Sequence, residues 1–352
     1  MKSMEQPVYI RGRKIENRIG FAPMGSSVYS DDCKMTDSSV ELYRAIARGG
    51  AGLLIQGCAI VAEDARSHMN QLGIWSDDYI DGLKRLTEAV HGEGKVVIAQ
   101  LQHGGLRSFL DEPLGPSEFV IPLKDAKKTG RAMTVKEIRT SQKQYVDAAL
   151  RAVKAGYDGV ELHASHGWLI SSFLSRITNR REDEYGINKV LYLREVFQNI
   201  RRSVPDGFIV GVRISGYVPD LETGLEQAKE IAAFGVDYIS VSVNHKVKWL
   251  EQEDTVSDRY PFNSMIYAAH EIKKIVPVPV FAAKGIRTGK MASDILAYTD
   301  VDMLLVGRGH LCDTQWAQKA LSGKEPNRCL ECKGACGWRI GTGKCPALNQ
   351  NG

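Results

Sequence analysis

No run in this sequence approaches the roughly 20 consecutive apolar residues of a membrane-spanning helix, so nothing reads as a transmembrane segment. Residues 1–13 are polar and lack the apolar core of a secretory signal, which makes a cytoplasmic location the expectation. Dense Lys/Arg stretches are missing too. With a formal charge of only +4 over 352 residues, the chain has no electrostatic footprint for nucleic acid. Cysteine is sparse until the end: Cys33, Cys58 and Cys312 are scattered, whereas Cys329, Cys332, Cys336 and Cys345 crowd the last 24 residues. In a cytosolic chain such a cluster points to a metal site rather than to a disulfide framework. Also absent is a GxGxxG turn after the first strand candidate, which ends in Ala22-Pro23-Met24-Gly25. That argues against a doubly wound dinucleotide-binding sheet.

What is present fits one large α/β unit. Hydrophobic content of 43% and charged content of 25% are those of an ordinary globular protein, and the length suits a single barrel with insertions. Short apolar runs recur at 19–24, 52–56, 96–101, 159–163, 208–214, 238–243, 278–283 and 303–306. Helical periodicity follows at 38–48, 77–91, 135–155, 190–203, 225–233 and 263–275. Several runs are wholly apolar and β-branched, as parallel strands buried on both faces must be. The segments AGYDGVELH and FGVDYISVS share one design, a helix ending at Gly156 or Gly235 and turning directly into an inward strand. Eight such units predict a (β/α)₈ TIM barrel over 1–324, with 325–352 as a short cysteine-rich metal-binding extension.

Two long connections, 102–134 and 164–189, follow the C-terminal ends of strands, the face where barrel enzymes place their chemistry. There stands His163-Ala164-Ser165-His166-Gly167-Trp168. A single histidine in such a place is more often satisfied packing, but two of them three residues apart can direct donors into one site. A metal pair stays open. No carboxylate sits at ligand spacing, so donors to a neutral ring system are the simpler reading. Gln100, His103 and Arg213 also lie near strand ends. A Gln amide suits the uracil-like edge of a flavin, and an inward Arg213 places charge near flavin N1, its alternative being a structural ion pair. The last two strands run into Ala282-Ala283-Lys284-Gly285 and Val306-Gly307-Arg308-Gly309, loops suited to phosphate, or else plain tight turns. The pattern Cys329-x₂-Cys332-x₃-Cys336-x₈-Cys345-Pro346 can close around one [4Fe–4S] cluster or one Zn²⁺, and the proline favours iron.

Together these segments resemble the old yellow enzyme family, the NADH:flavin oxidoreductases. The resemblance runs along essentially the whole chain, through NRIGFAPM (17–24), QLQHGG (100–105), GPSEF (115–119), AGYDGVELHASHGWLISSFLSRITNRREDEYG (155–186), VRIS (212–215) and LLVGRG (304–309). The terminal cysteines are similar to those of the 2,4-dienoyl-CoA reductase and trimethylamine dehydrogenase branch, where a [4Fe–4S] cluster hands electrons to FMN. The resemblance implies that Pro23, Met24 and Gly25 lie along the isoalloxazine and that Gln100 and Arg213 bind its pyrimidine edge and ribityl chain. It implies that Ala283-Lys284-Gly285 and Gly307-Arg308 surround the FMN phosphate, while His163 and His166 hydrogen-bond a substrate carbonyl. The implied activity is that of an ene-reductase: hydride passes from flavin N5 to the β-carbon of a small hydrophobic enone or enoyl substrate. Amine or C–N bond oxidation, or a non-enzymatic FMN electron-transfer subunit, are the alternatives.

The chain departs from the family in three places. Trp168 stands where the family has a tyrosine as proton donor, and an indole N–H is no general acid near neutral pH. Either Tyr29, His245, Tyr217 or solvent then protonates, or the chemistry differs, and Trp168 could instead stack on a planar substrate. Larger members of the branch continue into FAD- and NAD(P)-binding domains beyond the cysteines. Here electrons are expected from a ferredoxin, a separate flavoprotein or NAD(P)H directly. The x₈ spacing before Cys345 is also shorter than in those members. Self-association into a homo-oligomer is left open.

Overall fold

In a strand, residues at i and i+2 share a face, so each barrel strand writes one message to the barrel axis and another to the surrounding helices. The computed structural model describes residues 2–25, 29–68, 70–122, 127–242, 256–257, 259–332, 336 and 345–349. Within them eight parallel strands close into a barrel in chain order: β1 (Ile19–Phe21), β2 (Leu53–Ile60), β3 (Val96–Gln102), β4 (Gly159–Ala164), β5 (Ile209–Ser215), β6 (Ile239–Ser242), β7 (Val280–Ala283) and β8 (Met303–Val306). Pairing of Leu304 with Ile19 completes the ring.

The outward positions carry the main core. Leu54, Val97, Leu101, Val160 and Leu162 pack against Leu42, Ile46, Leu83, Leu86, Ile138 and Val196 of the helices. Truncating one of these, Leu162→Ala for instance, removes about 2–5 kcal/mol. The helices are α1 (Asp37–Arg48), α2 (Ile80–His91), α3 (Val135–Lys154), α4 (Leu191–Ser203), α5 (Leu221–Ala232), α6 (Ser264–Ile275), α7 (Gly289–Tyr298) and α8 (Trp316–Leu321). Side-chain caps start most of them: Thr36 on α1, a reciprocal Thr134–Glu137 capping box on α3, Asp220 on α5, Asn263 on α6 and Thr288 on α7.

The inward positions change character along the strands. At the N-terminal end Leu53, Ile55, Val96, Ile98, Ile209 and Phe281 form a separate apolar cluster. It is joined by Val8, Ile10 and Ile15 of an N-terminal hairpin turned at Arg11 and Gly12, both with positive φ. Two to four residues further along the same faces the side chains are polar. Ile98 gives way to Gln100 and Gln102, Ile209 to Arg213 and Ser215, and Tyr238 to Ser240 and Ser242, all buried. Buried polar groups are costly unless partnered, so this upper layer is where a site is expected.

All eight predicted strands are present, most within two residues of the expected bounds. The differences lie in the connections. The hairpin, α7 and α8 were not anticipated, and α5 begins four residues before the expected 225. The 102–134 connection carries three short strands in a sheet of their own, and 164–189 contains the short helices Leu169–Leu174 and Glu184–Ile187. No described helix is long and apolar enough to cross a membrane.

Candidate active site

Where the polar layer meets the C-terminal strand ends, a cavity of about 950 Å³ opens. The residues singled out on sequence converge there from separate parts of the chain. Pro23, Met24, Gly25 and Tyr29 follow β1; Gln100 and Arg213 rise from β3 and β5; His163, His166 and Trp168 follow β4. Ala283, Lys284 and Gly285 follow β7, and Gly307 and Arg308 follow β8, lining the same space. His245 lies outside the described residues. Two further candidates do not line the cavity. Tyr217 donates its hydroxyl to the Ser264 carbonyl at 3.2 Å, and His103 accepts the Gly105 N–H on Nδ1 at 3.0 Å while burial brings it down to about 4.

Hydrogen-bond logic fixes the protons around the histidine pair. An indole N–H and a guanidinium can only donate. Trp168 donates to His163 Nε2 at 3.1 Å, so that nitrogen carries no proton and the neutral ring holds its proton on Nδ1. Burial keeps His163 well below the usual histidine range, helped by His166, Arg213 and Arg107. His166 Nδ1, also 3.1 Å from His163 Nε2, must then be the donor in that contact. The other nitrogen of a neutral His166 accepts from Ser242 Oγ at 2.9 Å, and Ser242 accepts from Arg213 at 3.1 Å. In this arrangement His163 Nε2 is an acceptor, on which two N–H donors converge. His166 reaches this position with φ +62°, followed by Gly167 at +72°; strained backbone of this kind concentrates at functional sites.

Beneath the pair lies a residue that sequence reasoning missed. Glu161 is fully buried and accepts from Gln100 Nε2 (2.7 Å), Ser240 (2.7 Å) and Tyr238 (3.1 Å). Burial pushes its carboxyl up, against the pull of Arg213 and these bonds. It shares the inward face of β4 with His163, so period-2 alternation was the signal available. Ser242 could have been found in the same way. Cys58 was missed as well. It lines the cavity at φ +54°, where the β2–β3 register shifts, and its thiol, pushed up to about 12 by burial, meets Gln100 Oε1 at 3.4 Å.

At the other end Lys284 (φ +81°) and Gly285 (φ +77°) turn in succession. Lys284 reaches solvent at the cavity mouth, yet burial and then the charge of Arg308 bring its ammonium down to about 8. Glu331 of the cysteine segment pairs with Arg287 at 2.7 Å and Arg308 at 3.3 Å.

A profile of the NADH:flavin oxidoreductase / NADH oxidase family matches residues 3–327. The chain belongs to that family. Among its relatives are a "metal reductase" of Desulforamulus reducens, 34% identical over 96% of this chain and 51% of that one, and an "NADH oxidase" of Thermoanaerobacter brockii, 32% identical over 92% and 51%. This chain thus spans about half the length of these two relatives. An "NADPH dehydrogenase" of Geobacillus thermodenitrificans is 33% identical over 89% of this chain and 92% of that one. Similar solved structures include a 2-naphthoyl-CoA reductase complex (TM-score 0.84, 24% identity, 93% of this chain and 54% of that one). An old yellow enzyme homologue from Zymomonas mobilis (TM-score 0.78, 23% identity, 94% and 95%) is another. At these identities the structures establish the shared barrel alone.

The family's flavin can be tested against the cavity. Gln100 and Arg213 supply polar groups, and Lys284, Gly285, Gly307 and Arg308 supply cations and tight turns, on the wall of the same cavity. A Cβ on Gly25 would project into open space, where a flat ring system needs room. The residues fit FMN. The cysteines are less decisive. Cys329, Cys336 and Cys345 are half-buried and Cys332 is exposed, and the other three all lie within electrostatic reach of Cys345. Among the described residues, however, no three His, Cys, Asp or Glu side chains gather as a ligand set. The expected metal-binding character of the extension is therefore not a feature of the described structure.

Proposed function

We propose that this chain is an FMN-dependent ene-reductase acting on the C=C bond of an α,β-unsaturated carbonyl compound. The observation that carries this reading is the gathering of His163, His166 and Trp168, linked by two 3.1 Å hydrogen bonds, on the wall of the same cavity as Gln100, Arg213, Lys284 and Arg308. A substrate carbonyl oxygen that accepts from the imidazole N–H groups of the His163–His166 pair in place of their mutual contact would be polarised by positioned donors, the arrangement that best stabilises developing negative charge. Gln100, Arg213 and the loops at Lys284-Gly285 and Gly307-Arg308 would hold FMN. When bound and reduced, FMN supplies a hydride for the β-carbon and is reoxidised, while a proton at the α-carbon completes addition of two electrons and two hydrogens. Trp168 cannot give that proton. Tyr29 lines the cavity, with Gln56 Nε2 donating to its oxygen at 3.2 Å, and is the candidate acid, ahead of His245 and solvent.

The four C-terminal thiols are proposed as ligands of one [4Fe–4S] cluster, in the manner of the 2,4-dienoyl-CoA reductase branch, with Zn²⁺ as the alternative. The all-thiol donor set and its spacing support this, as does the position of Cys329 on the wall of the same cavity. A ferredoxin, a flavoprotein or NAD(P)H would supply the electrons in a cytoplasmic setting.

One anaerobic experiment tests the reading. Purified protein is assayed for flavin, iron, sulfide and zinc per chain, then reduced and mixed with a panel of enones. Stoichiometric FMN with about four irons and four sulfides, and reoxidation by at least one enone, is the expected result. A fully reduced, FMN-replete protein that no enone reoxidises would rule the ene-reductase out; zinc in place of iron would overturn the cluster alone.

A further inference from the structure

The cavity carries an imbalance of charge that a hydrophobic enone does not answer. Among the described residues, five basic side chains line it (Arg107, Arg213, Lys284, Arg287 and Arg308) against one acidic side chain, Glu331. Four of the five are accounted for. Arg213 has Glu161 close enough to favour its charged form, and Arg287 and Arg308 share Glu331. Lys284 stands with Arg308 at the loops suited to phosphate. Arg107 is different. It lies on the substrate side, its guanidinium 4.2 Å from the centre of the Trp168 ring, and it donates one hydrogen bond, to the His166 carbonyl at 2.6 Å. Among the described residues no carboxylate pairs with it, and burial alone pulls its pKa down. A guanidinium has five N–H donors and cannot shed its charge near neutral pH. A half-buried cation held by one carbonyl and one ring, but by no described carboxylate, keeps donors to spare and is costly without a counter-charge, so its place beside the histidine pair calls for an anionic ligand.

Its position is also built. The turn Gly105–Arg107 follows β3 directly, and Gly105 (φ +57°) lies so close to Leu169 that a Cβ there would come within 2.8 Å of its Cα. The Leu169 N–H bonds the His103 carbonyl at 3.1 Å, locking the Arg107 turn to the segment that presents His166 and Trp168. The Arg107 guanidinium carbon lies over the Trp168 ring, 4.2 Å from its centre, and only one of the five N–H donors has a described hydrogen-bond partner. The N–H donors lie in the plane of the fork, the geometry that takes a carboxylate bidentately.

We propose that Arg107 is the recognition site for a carboxylate on the substrate, which makes carboxylate-bearing activated alkenes the substrate class. This rests on the ene-reductase reading and replaces its purely hydrophobic substrate. Arg107 touches Trp168 and His166, so an anion bound by it lies beside the histidine pair that would hold the activated carbonyl. Small substrates with the two groups close together fit best.

The test compares 4-oxo-2-pentenoate with its methyl ester in the FMN-replete full-length protein and in Arg107→Gln and Arg107→Lys, each checked for retained flavin. The readout is the acid-to-ester ratio of kcat/KM, since general damage lowers both substrates alike and intrinsic reactivity cancels between proteins. Arg107→Gln is expected to lower the ratio about 10- to 100-fold, the range for hydrogen bonds to charged groups, with Arg107→Lys between. An unchanged ratio, with both compounds still reoxidising the flavin, overturns the carboxylate site and leaves the ene-reductase reading standing. The second measurement needs no turnover: the Kd of the saturated analogue 4-oxopentanoate for the oxidised protein, read from the flavin spectrum. It should weaken at least 10-fold in Arg107→Gln. Equal Kd values in variant and wild type overturn the site even if no alkene proves to be a substrate.

Discussion

The proton positions around His163 follow from two residues that have no choice. Trp168 can only donate, so His163 Nε2 is unprotonated and His166 Nδ1 must donate to it; with His166 neutral, Ser242, which accepts from the donor-only Arg213, passes its own proton to His166 Nε2. Trp168 therefore acts as a lock on the His163 tautomer, which explains how a residue useless as an acid belongs in this position. With ¹⁵N-labelled histidine, His163 Nε2 should show the shift of an unprotonated nitrogen at pH 7. In Trp168→Phe the neutral form loses a donor to its lone pair, so the His163 pKa, held well below its ordinary value by burial and its neighbours, should rise. A protonated Nε2 in the wild type, or a pKa unmoved in the variant, would contradict the assignment.

Among the elements, the loops after β7 and β8 are where flavin affinity should be set. Lys284 titrates near 8 because burial and Arg308 disfavour its charge. A cation with a lowered pKa is present below that value and lost above it. FMN affinity should accordingly fall as pH rises through about 8, and Lys284→Met should be weaker by about 5- to 10-fold at pH 7 and flat across that range. Riboflavin, which lacks the phosphate, is the control. If it shows the same pH dependence as FMN, Lys284 does not act on the phosphate.

Legibility also divides by element. The strands were readable because burial on both faces writes Val, Ile and Leu in unbroken runs, as in Val96–Ile98 and Met303–Val306. The start of α5 was hidden by Gly224, which reads as a breaker. It is required because a Cβ there would lie 2.2 Å from the Gly216 carbonyl. The site was legible where alternation or motif places residues on strand ends, as for Gln100, His163 and Arg213. Arg107 and Glu331 were not, because they sit on irregular turns whose partners lie on other loops well away in sequence. A sequence pattern reports local periodicity, and these contacts have none.

At the scale of the whole molecule, the seam that closes the barrel also lines the candidate cavity, through Ala22, Leu305 and Val306. His310 sits behind the β8–β1 junction, fully buried, with Nδ1–H donating to the Val306 carbonyl at 2.9 Å and its ring 5.7 Å from both Phe21 and Trp316. Burial brings it down to about 4, as it does His103 beneath the Arg107 turn. The unfolded chain, with histidines near 6.5, binds more protons than the folded one between pH 4 and 6.5. Stability therefore rises with pH across that window, is fully present above it, and declines on acidification. At pH 5 the loss is about 2 kcal/mol for each of the two histidines. Apparent Tm should thus drop between pH 7.5 and pH 5 by more than surface carboxylates alone would cause. His310→Asn keeps a donor for the Val306 carbonyl and removes the titration, so its drop over the same interval should be smaller. Identical drops in the two proteins would mean that His310 is protonated inside the fold. The seam would then have to hold a buried cation next to Gly307 and Arg308, and acid would act on flavin retention before it acted on the barrel.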